Sequence, residues 1–174
     1  MNDERPEYKE APKQKPISIS LLSLHTHWIT ADAIKERMRF NVGGVEGQVP
    51  TELEDLGQEM SKMQTMVVFY ALFYVVIEGY RELKLKDDTV DALLSKNDYE
   101  DRLRRFRNAV FHYQKYPFDK RLIEFLDAKD SEHWIRQLYA AFTRFFLREL
   151  PIRESLERLN KGESLREAMG EYAK

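Results

Sequence analysis

Twelve consecutive apolar residues, Met66 to Ile77, place the tightest limit on how this chain can fold. Apolar and polar residues do not alternate here, so the segment does not fit a strand with one solvated face. Read as a helix, it is apolar on every side, and such a helix is stable only when other helices or a partner chain surround it. Twelve residues are also too few to span a bilayer. The segment therefore predicts a buried helix in an all-α protein.

The composition fits a single globular domain. A chain of 174 residues can bury a sizeable core, and seven Gly and six Pro leave little turn material for an all-β fold. The absence of cysteine excludes disulfides, thiolate metal sites and cysteine nucleophiles, and it fits a reducing compartment. No signal-peptide pattern occurs at the N-terminus, so we expect a cytoplasmic protein without membrane contact. The net charge of −2 leaves any signal for nucleic-acid binding to a local cluster.

The chain divides into three parts. Residues 1–16 combine three prolines with charged residues and predict a flexible N-terminal arm. Residues 17–150 predict the helical domain, and residues 151–174 predict a polar C-terminal tail of two short helical pieces. Within the domain, apolar spacing and breaker residues predict helices over 17–40, 51–84 with an interruption near Gly57, 87–94, 98–116, 119–128 and 131–150.

Arg107, Asn108 and His112 form the most distinctive group of polar residues. On an ideal helix His112 and Asn108 project from the polar side, and Arg107 lies about 140° from His112, at the border of the core. The opposite side is the expected core face, made of Tyr99, Leu103, Phe106, Val110 and Tyr113. One straight helix does not bring Arg107 and His112 together. They converge only if the helix end unwinds before Pro117 or if two copies face each other.

A local basic cluster surrounds this group. Between positions 102 and 121 lie seven Lys and Arg residues, opposed there only by Asp119, with aromatic residues interleaved. Cations for phosphates and aromatic faces for unstacked bases are typical of a site for single-stranded nucleic acid. The candidate substrate-binding residues are Arg104, Arg105, Tyr113, Lys115 and Tyr116. The alternative is a solvated, charge-rich helix face with aromatic residues that pack near a proline turn.

Arg107-Asn108, three further residues and then His112, near a helix end in an all-α chain, resembles the signature of the HEPN superfamily. The segments 74–80 and 134–147 also look like HEPN-type bacterial proteins, and the likeness covers roughly residues 60–150. The resemblance implies an up-and-down bundle of four to five main helices that dimerises and joins both motif copies in one cleft. It also implies metal-independent ribonuclease activity, without a cofactor, as found in toxins and defence effectors.

The resemblance assigns catalytic roles to three residues. RNA supplies its own nucleophile, the 2′-OH, so the protein needs a proton shuttle and charge stabilisation rather than a metal. His112 would transfer the protons, because imidazole exchanges protons readily near neutral pH. Arg107 would hold the scissile phosphate, Asn108 would orient His112 or donate to a phosphate oxygen, and Glu78 would pair with Arg107.

Two other functions stay open at this stage. One is a non-catalytic helical dimer that uses the motif for packing and acts as an interaction protein. The other is a module that binds nucleotides or RNA without turnover. The expected partners are a second copy of the chain, RNA, and an antitoxin or other protein.

Overall fold

The computed structural model describes residues 18–37, 51–116 and 119–164, and all regular structure in these ranges is α-helical. The all-α prediction is therefore confirmed for the described part. The predicted arm (1–16) and the end of the tail lie outside the described residues. The helices are α1 (Ile19–Arg37), α2 (Thr51–Glu82), α3 (Asp88–Leu94), α4 (Tyr99–Phe111), α5 (Lys120–Leu126), α6 (Ser131–Glu149) and α7 (Ile152–Asn160).

Aspartates cap two of the short helices. The Asp87 side chain accepts a hydrogen bond from the Val90 backbone N–H at the start of α3, and Asp119 accepts from the Arg121 N–H at the start of α5. Both caps satisfy N–H groups that a first helical turn leaves without partners. The predicted interruption near Gly57 is wrong, because α2 runs without a break through that residue. One glycine in a long helix costs about 1 kcal/mol and does not by itself end the helix.

The core is built around the apolar segment of α2. Helix α2 packs against α1 and α4, and aromatic rings of α6 close the third side. Phe73, Val76 and Ile77 have no exposed surface, and Phe142 of α6 meets the Phe73 ring edge-on at 5.8 Å. A single chain therefore already covers most of the segment. Of the two possibilities given by the sequence, other helices or a partner chain, helices of the same chain cover these residues.

One helix among those described, over Asp55–Glu82, is long and apolar enough to cross a membrane by length and composition alone. This apolar stretch is longer than the twelve-residue run from Met66 to Ile77. A core helix of a globular protein meets the same criterion, and Tyr80 near the end of this stretch is fully buried. The absence of membrane contact stays a prediction.

Helix α1 docks on the core through close packing and stacked rings. A Cβ atom placed on Gly79 of α2 would lie 2.6 Å from Cδ1 of Leu24 on α1. The two helices can approach this closely because glycine has no side chain. His25 stacks on Trp28, and Trp28 stacks on Tyr139 of α6. The Tyr139 hydroxyl donates to Asp32, which adds a polar tie between α1 and α6.

A second indole fastens the short helix α3. Trp134 of α6 is buried, and its Nε1 donates to the Leu93 carbonyl oxygen at 2.8 Å. Its ring also contacts Tyr99 at the start of α4 and Phe125 of α5. The same side chain therefore joins four helices at one end of the molecule.

Candidate functional site

Helix α4 carries four of the candidate residues, Arg104, Arg105, Arg107 and Asn108, and all four lie outside the fully buried side of the helix. Tyr99, Leu103 and Phe106 are buried as predicted, and Val110 is partly buried. Tyr113 is not a core residue, because 95% of its surface is exposed. The prediction was wrong because it extended the helical periodicity past the point where α4 ends.

Helix α4 ends at Phe111, five residues before Tyr116, the residue that directly precedes Pro117. His112 has extended backbone angles (φ −113°, ψ 142°), and the Gln114 side chain donates from Nε2 to its carbonyl oxygen at 2.7 Å. Pro117 disfavours the helical conformation only for the residue directly before it. Five more helical residues would carry the chain about 7.5 Å further along the axis. Since α5 packs back against α4, the connection turns earlier than the proline requires.

Arg107 points towards α2 and is held there by three neighbours. Its Nη2 lies 2.6 Å from each carboxylate oxygen of Glu78, which confirms the predicted pair. Its Nη1 donates to Asn108 Oδ1 at 3.1 Å. The guanidinium carbon is 5.3 Å from the ring centroid of Tyr74, within cation–π range. Since 22% of the Arg107 side chain is exposed, a solvent-borne anion can reach part of the group.

Tyr74 is a member of this group that sequence reasoning missed. It lies one turn before Glu78 on α2, so both side chains project from the same side of the helix. Burial, and then the negative charge of Glu78, raise the pKa of Tyr74 above its ordinary value. The ring therefore stays neutral and supports the Arg107 guanidinium. The i, i+4 spacing of an aromatic and an acidic residue was the signal available in the sequence.

His112 lies next to this group in sequence but is exposed and outside the helix. Its outward orientation agrees with the prediction. Among the described residues, no hydrogen bond joins the His112 and Arg107 side chains. Asn108 contacts Arg107 rather than His112, so its predicted role of orienting the histidine has no support in this arrangement.

The cations around the motif are largely neutralised, contrary to the expectation of a basic cluster opposed by Asp119 alone. Asp98 and Asp101 lie just before the range 102–121, and Glu78 and Glu124 come from α2 and α5. The ion pairs are Arg102–Asp98, Arg104–Asp101, Arg105–Asp101, Arg105–Glu124, Arg107–Glu78, Lys120–Glu124 and Arg121–Asp119. The hydrogen bond from Arg104 accordingly lowers the pKa of Asp101.

The candidate substrate-binding residues fall into two sets. Arg104 and Arg105 lie on α4 in ion pairs, and about half of the Arg104 side chain is exposed. Tyr113, Lys115 and Tyr116 lie in the non-helical connection to α5 and are exposed, with Lys115 5.7 Å from the Tyr116 ring. The second set presents two exposed rings, and the Lys115 ammonium lies over one of them, that of Tyr116. Phe111, half exposed at the end of α4, extends this surface and was not predicted.

Within the described ranges, no group of three or more His, Cys, Asp or Glu side chains is placed to hold a metal ion. The groups that this site offers for chemistry are therefore one imidazole, one guanidinium and one carboxylate. These groups can transfer protons and bind anions.

Comparison of the chain with models of protein families, with curated proteins and with solved structures gives no match. The functional argument therefore depends on the residues and their geometry.

Proposed function

We propose that the protein is a HEPN-type endoribonuclease that cleaves single-stranded RNA without a metal ion. The observation that supports this best is the position of Arg107. Its guanidinium is partly exposed, lies on the Tyr74 ring, and sits five residues before an exposed histidine at a helix end. Arg107 offers a positive charge that its neighbours hold in place, and His112 offers an exposed imidazole that can carry protons.

The reaction follows from the chemistry of RNA. The 2′-OH attacks the adjacent phosphorus, the bond to the 5′-oxygen breaks, and the products carry a 2′,3′-cyclic phosphate and a 5′-hydroxyl. His112 transfers a proton, either from the attacking 2′-OH or to the leaving oxygen. Arg107 stabilises the negative charge that develops on the phosphate. Two copies of the motif in a dimer would supply a second histidine for the other proton.

The exposed connection after α4 supports a single-stranded substrate. The Tyr113 and Tyr116 rings are exposed, and unpaired bases stack on such rings, whereas paired bases are not accessible to them. Lys115 lies between them in sequence and can contact the backbone phosphates. These residues bind RNA without a broad basic surface, in keeping with the net charge of −2.

The alternative function is a non-catalytic HEPN-like helical dimer that acts as an interaction module. The ion pairs of α4 favour it, because nearly every arginine near the motif already has a carboxylate partner. In this case Arg107 serves to join α2 to α4.

Induced expression in bacteria distinguishes the two functions. The proposal predicts that the wild-type chain arrests growth, as expected of a toxin or defence effector, and that His112→Ala does not. His27→Ala is the matched control, since His27 is also an exposed histidine, on α1. Equal growth of wild type and His112→Ala, at equal protein levels, together with absence of RNA fragments ending in cyclic phosphate, would favour the interaction module.

A further inference from the structure

We propose that the Glu78 carboxylate occupies the part of the Arg107 guanidinium to which a phosphate would bind. A substrate phosphodiester therefore has to displace this carboxylate before it binds. The identity of the substrate rests on the proposed function. The competition itself rests only on the contacts of Arg107.

A count of donors shows how Arg107 is used. A guanidinium has five N–H groups, one on Nε and two on each Nη. Glu78 occupies Nη2, because this atom lies 2.6 Å from each of the two carboxylate oxygens. Nη1 gives one hydrogen to Asn108. Nε is buried, with no hydrogen-bond partner among the residues that the structure describes. Apart from Nη2, the accessible donor without a partner in the described part of the chain is one N–H of Nη1.

One accessible N–H group is too few for the way in which arginine usually binds phosphate. Arginine binds phosphate through two parallel N–H groups on neighbouring nitrogens. The two edges that offer such a pair are Nε with Nη2 and Nη1 with Nη2, and both include the atom that Glu78 occupies. A phosphate therefore reaches either edge only after the carboxylate has moved away.

Glu78 is able to leave, and Arg107 is held in place when it does. The Glu78 side chain is 48% exposed, so water solvates its carboxylate when it moves away, and ion pairs with an exposed partner are weak. The Tyr74 ring and Asn108 Oδ1 contact the guanidinium from other directions. Loss of the carboxylate thus uncovers a site that is already formed.

The experiment measures anion binding after removal of the Glu78 charge. Glu78→Gln and Glu78→Ala are compared with Glu100→Gln, a matched control on α4. Glu100 also joins α2 to α4, through Arg81 at 2.7 Å, and its replacement changes the net charge equally. The first probe is a single-stranded 2′-O-methyl oligonucleotide, which lacks the nucleophile, with binding followed by fluorescence anisotropy. The second is inorganic phosphate, detected as a rise in thermal midpoint relative to chloride at the same ionic strength.

Both Glu78 variants should bind the oligonucleotide about two- to tenfold more tightly than wild type, as removal of a weak competing ion pair allows. Glu100→Gln should change binding less than twofold, and the gain should vanish when Arg107→Ala is added to Glu78→Gln. Equal effects of Glu78→Gln and Glu100→Gln would overturn the inference. So would weaker binding by the Glu78 variants, which would make Glu78 a positioning residue for Arg107.

The two probes separate this inference from the proposed function. If no variant binds the oligonucleotide, the ribonuclease proposal fails. The competition at Arg107 then still holds if inorganic phosphate stabilises Glu78→Gln more than Glu100→Gln in an Arg107-dependent manner. If phosphate also has equal effects on both, the inference fails as well.

Discussion

Glu78 and Arg107 are 29 residues apart in the chain, yet one guanidinium nitrogen of Arg107 lies 2.6 Å from both carboxylate oxygens of Glu78. The pair joins the central helix α2 to the helix that carries the motif. It also holds Arg107 at the surface while its Nε is buried. The chemistry proposed for this site leads to predictions for activity, and the packing around it leads to predictions for stability.

Replacement of His112 separates catalysis from folding. His112 is exposed and lies beyond the end of α4, so His112→Ala should change the free energy of unfolding by less than about 0.5 kcal/mol. Loss of the proton shuttle should lower the cleavage rate by about two to four orders of magnitude. Thermal midpoint and cleavage of a single-stranded RNA are measured side by side. An unfolded His112→Ala protein, with activity that tracks the folded fraction, would assign the motif a structural role.

Arg107→Lys tests whether the shape of the guanidinium matters beyond its charge. Lysine keeps the positive charge but loses the planar fork that contacts Glu78 and Asn108 together. We expect impaired turnover with a thermal midpoint close to that of wild type. Arg81→Lys is the control, since the Arg81 guanidinium also joins α2 to α4, through two hydrogen bonds to Glu100, and is not a candidate site residue. Equal activity of both variants would show that a point charge at position 107 is sufficient.

Cleavage should continue in excess EDTA. The proposed reaction uses the 2′-OH of RNA with His112 and Arg107, and no step requires a metal ion. The measurement is the rate on a single-stranded RNA before and after chelation, with readdition of magnesium or manganese. Complete inhibition by the chelator, reversed by the metal, would refute the assigned chemistry.

The protein should form a homodimer through the end of α4. Phe111 and Tyr113 are exposed apolar surface next to the motif, and a composite site needs the two motifs to meet there. Light scattering coupled to gel filtration should give twice the chain mass of 20.7 kDa. Phe111→Asp should give the monomer, whereas Leu156→Asp, at an exposed position on α7, should not. A monomeric wild type would exclude the composite site.

Two glycines of the same helix should respond oppositely to alanine. Gly57 of α2 has open space where a Cβ would be placed, so Gly57→Ala should stabilise the protein by about 0.5–1 kcal/mol. At Gly79 a Cβ would lie 2.6 Å from buried Leu24, and overpacking should outweigh the gain in helix propensity, with a net loss of about 1 kcal/mol. Urea unfolding measures both. Equal stabilisation by the two variants would show that α1 shifts at little cost.

His25 should make stability depend on pH. Burial lowers its pKa from the ordinary 6.5, so the folded state holds the neutral imidazole where the unfolded chain already binds a proton. This contribution is complete above pH 6.5 and declines as pH falls towards the folded pKa. Urea unfolding at pH 7.5 and pH 5 should show a larger loss for wild type than for His25→Phe. His27→Gln, on the exposed side of α1, should behave as wild type does.

The sequence predicts the helices well where local chemistry defines their ends. Asp87 and Asp119 cap helices because an aspartate accepts from backbone N–H groups two or three residues later, and this spacing is visible in the sequence. The end of α4 was placed too late because the packing of α5 against α4, a tertiary contact, decides where the chain turns. Tyr113 was assigned to the core for the same reason.

The ion pairs of the candidate site also divide into those that local spacing predicts and those that depend on the packing of helices. Asp98 and Asp101 pair with arginines three and four residues later, which the sequence contains. Glu124 reaches Arg105 from another helix, and local spacing does not predict this contact. The pair of Glu78 and Arg107 was predicted from the family resemblance rather than from periodicity. The position of the Glu78 carboxylate on Nη2, the nitrogen that both edges of the guanidinium share, required the structure.

The two indoles described in the fold give this protein a pair of built-in optical reporters. Trp28 lies half-buried on α1 between His25 and Tyr139, whereas Trp134 is buried at the junction of α3, α4, α5 and α6. These are the only two tryptophans in the chain. A Trp28→Phe or Trp134→Phe variant thus retains a single emitter, whose fluorescence follows either detachment of the first helix or loss of the central body. Partial opening and complete unfolding become separable without any attached label.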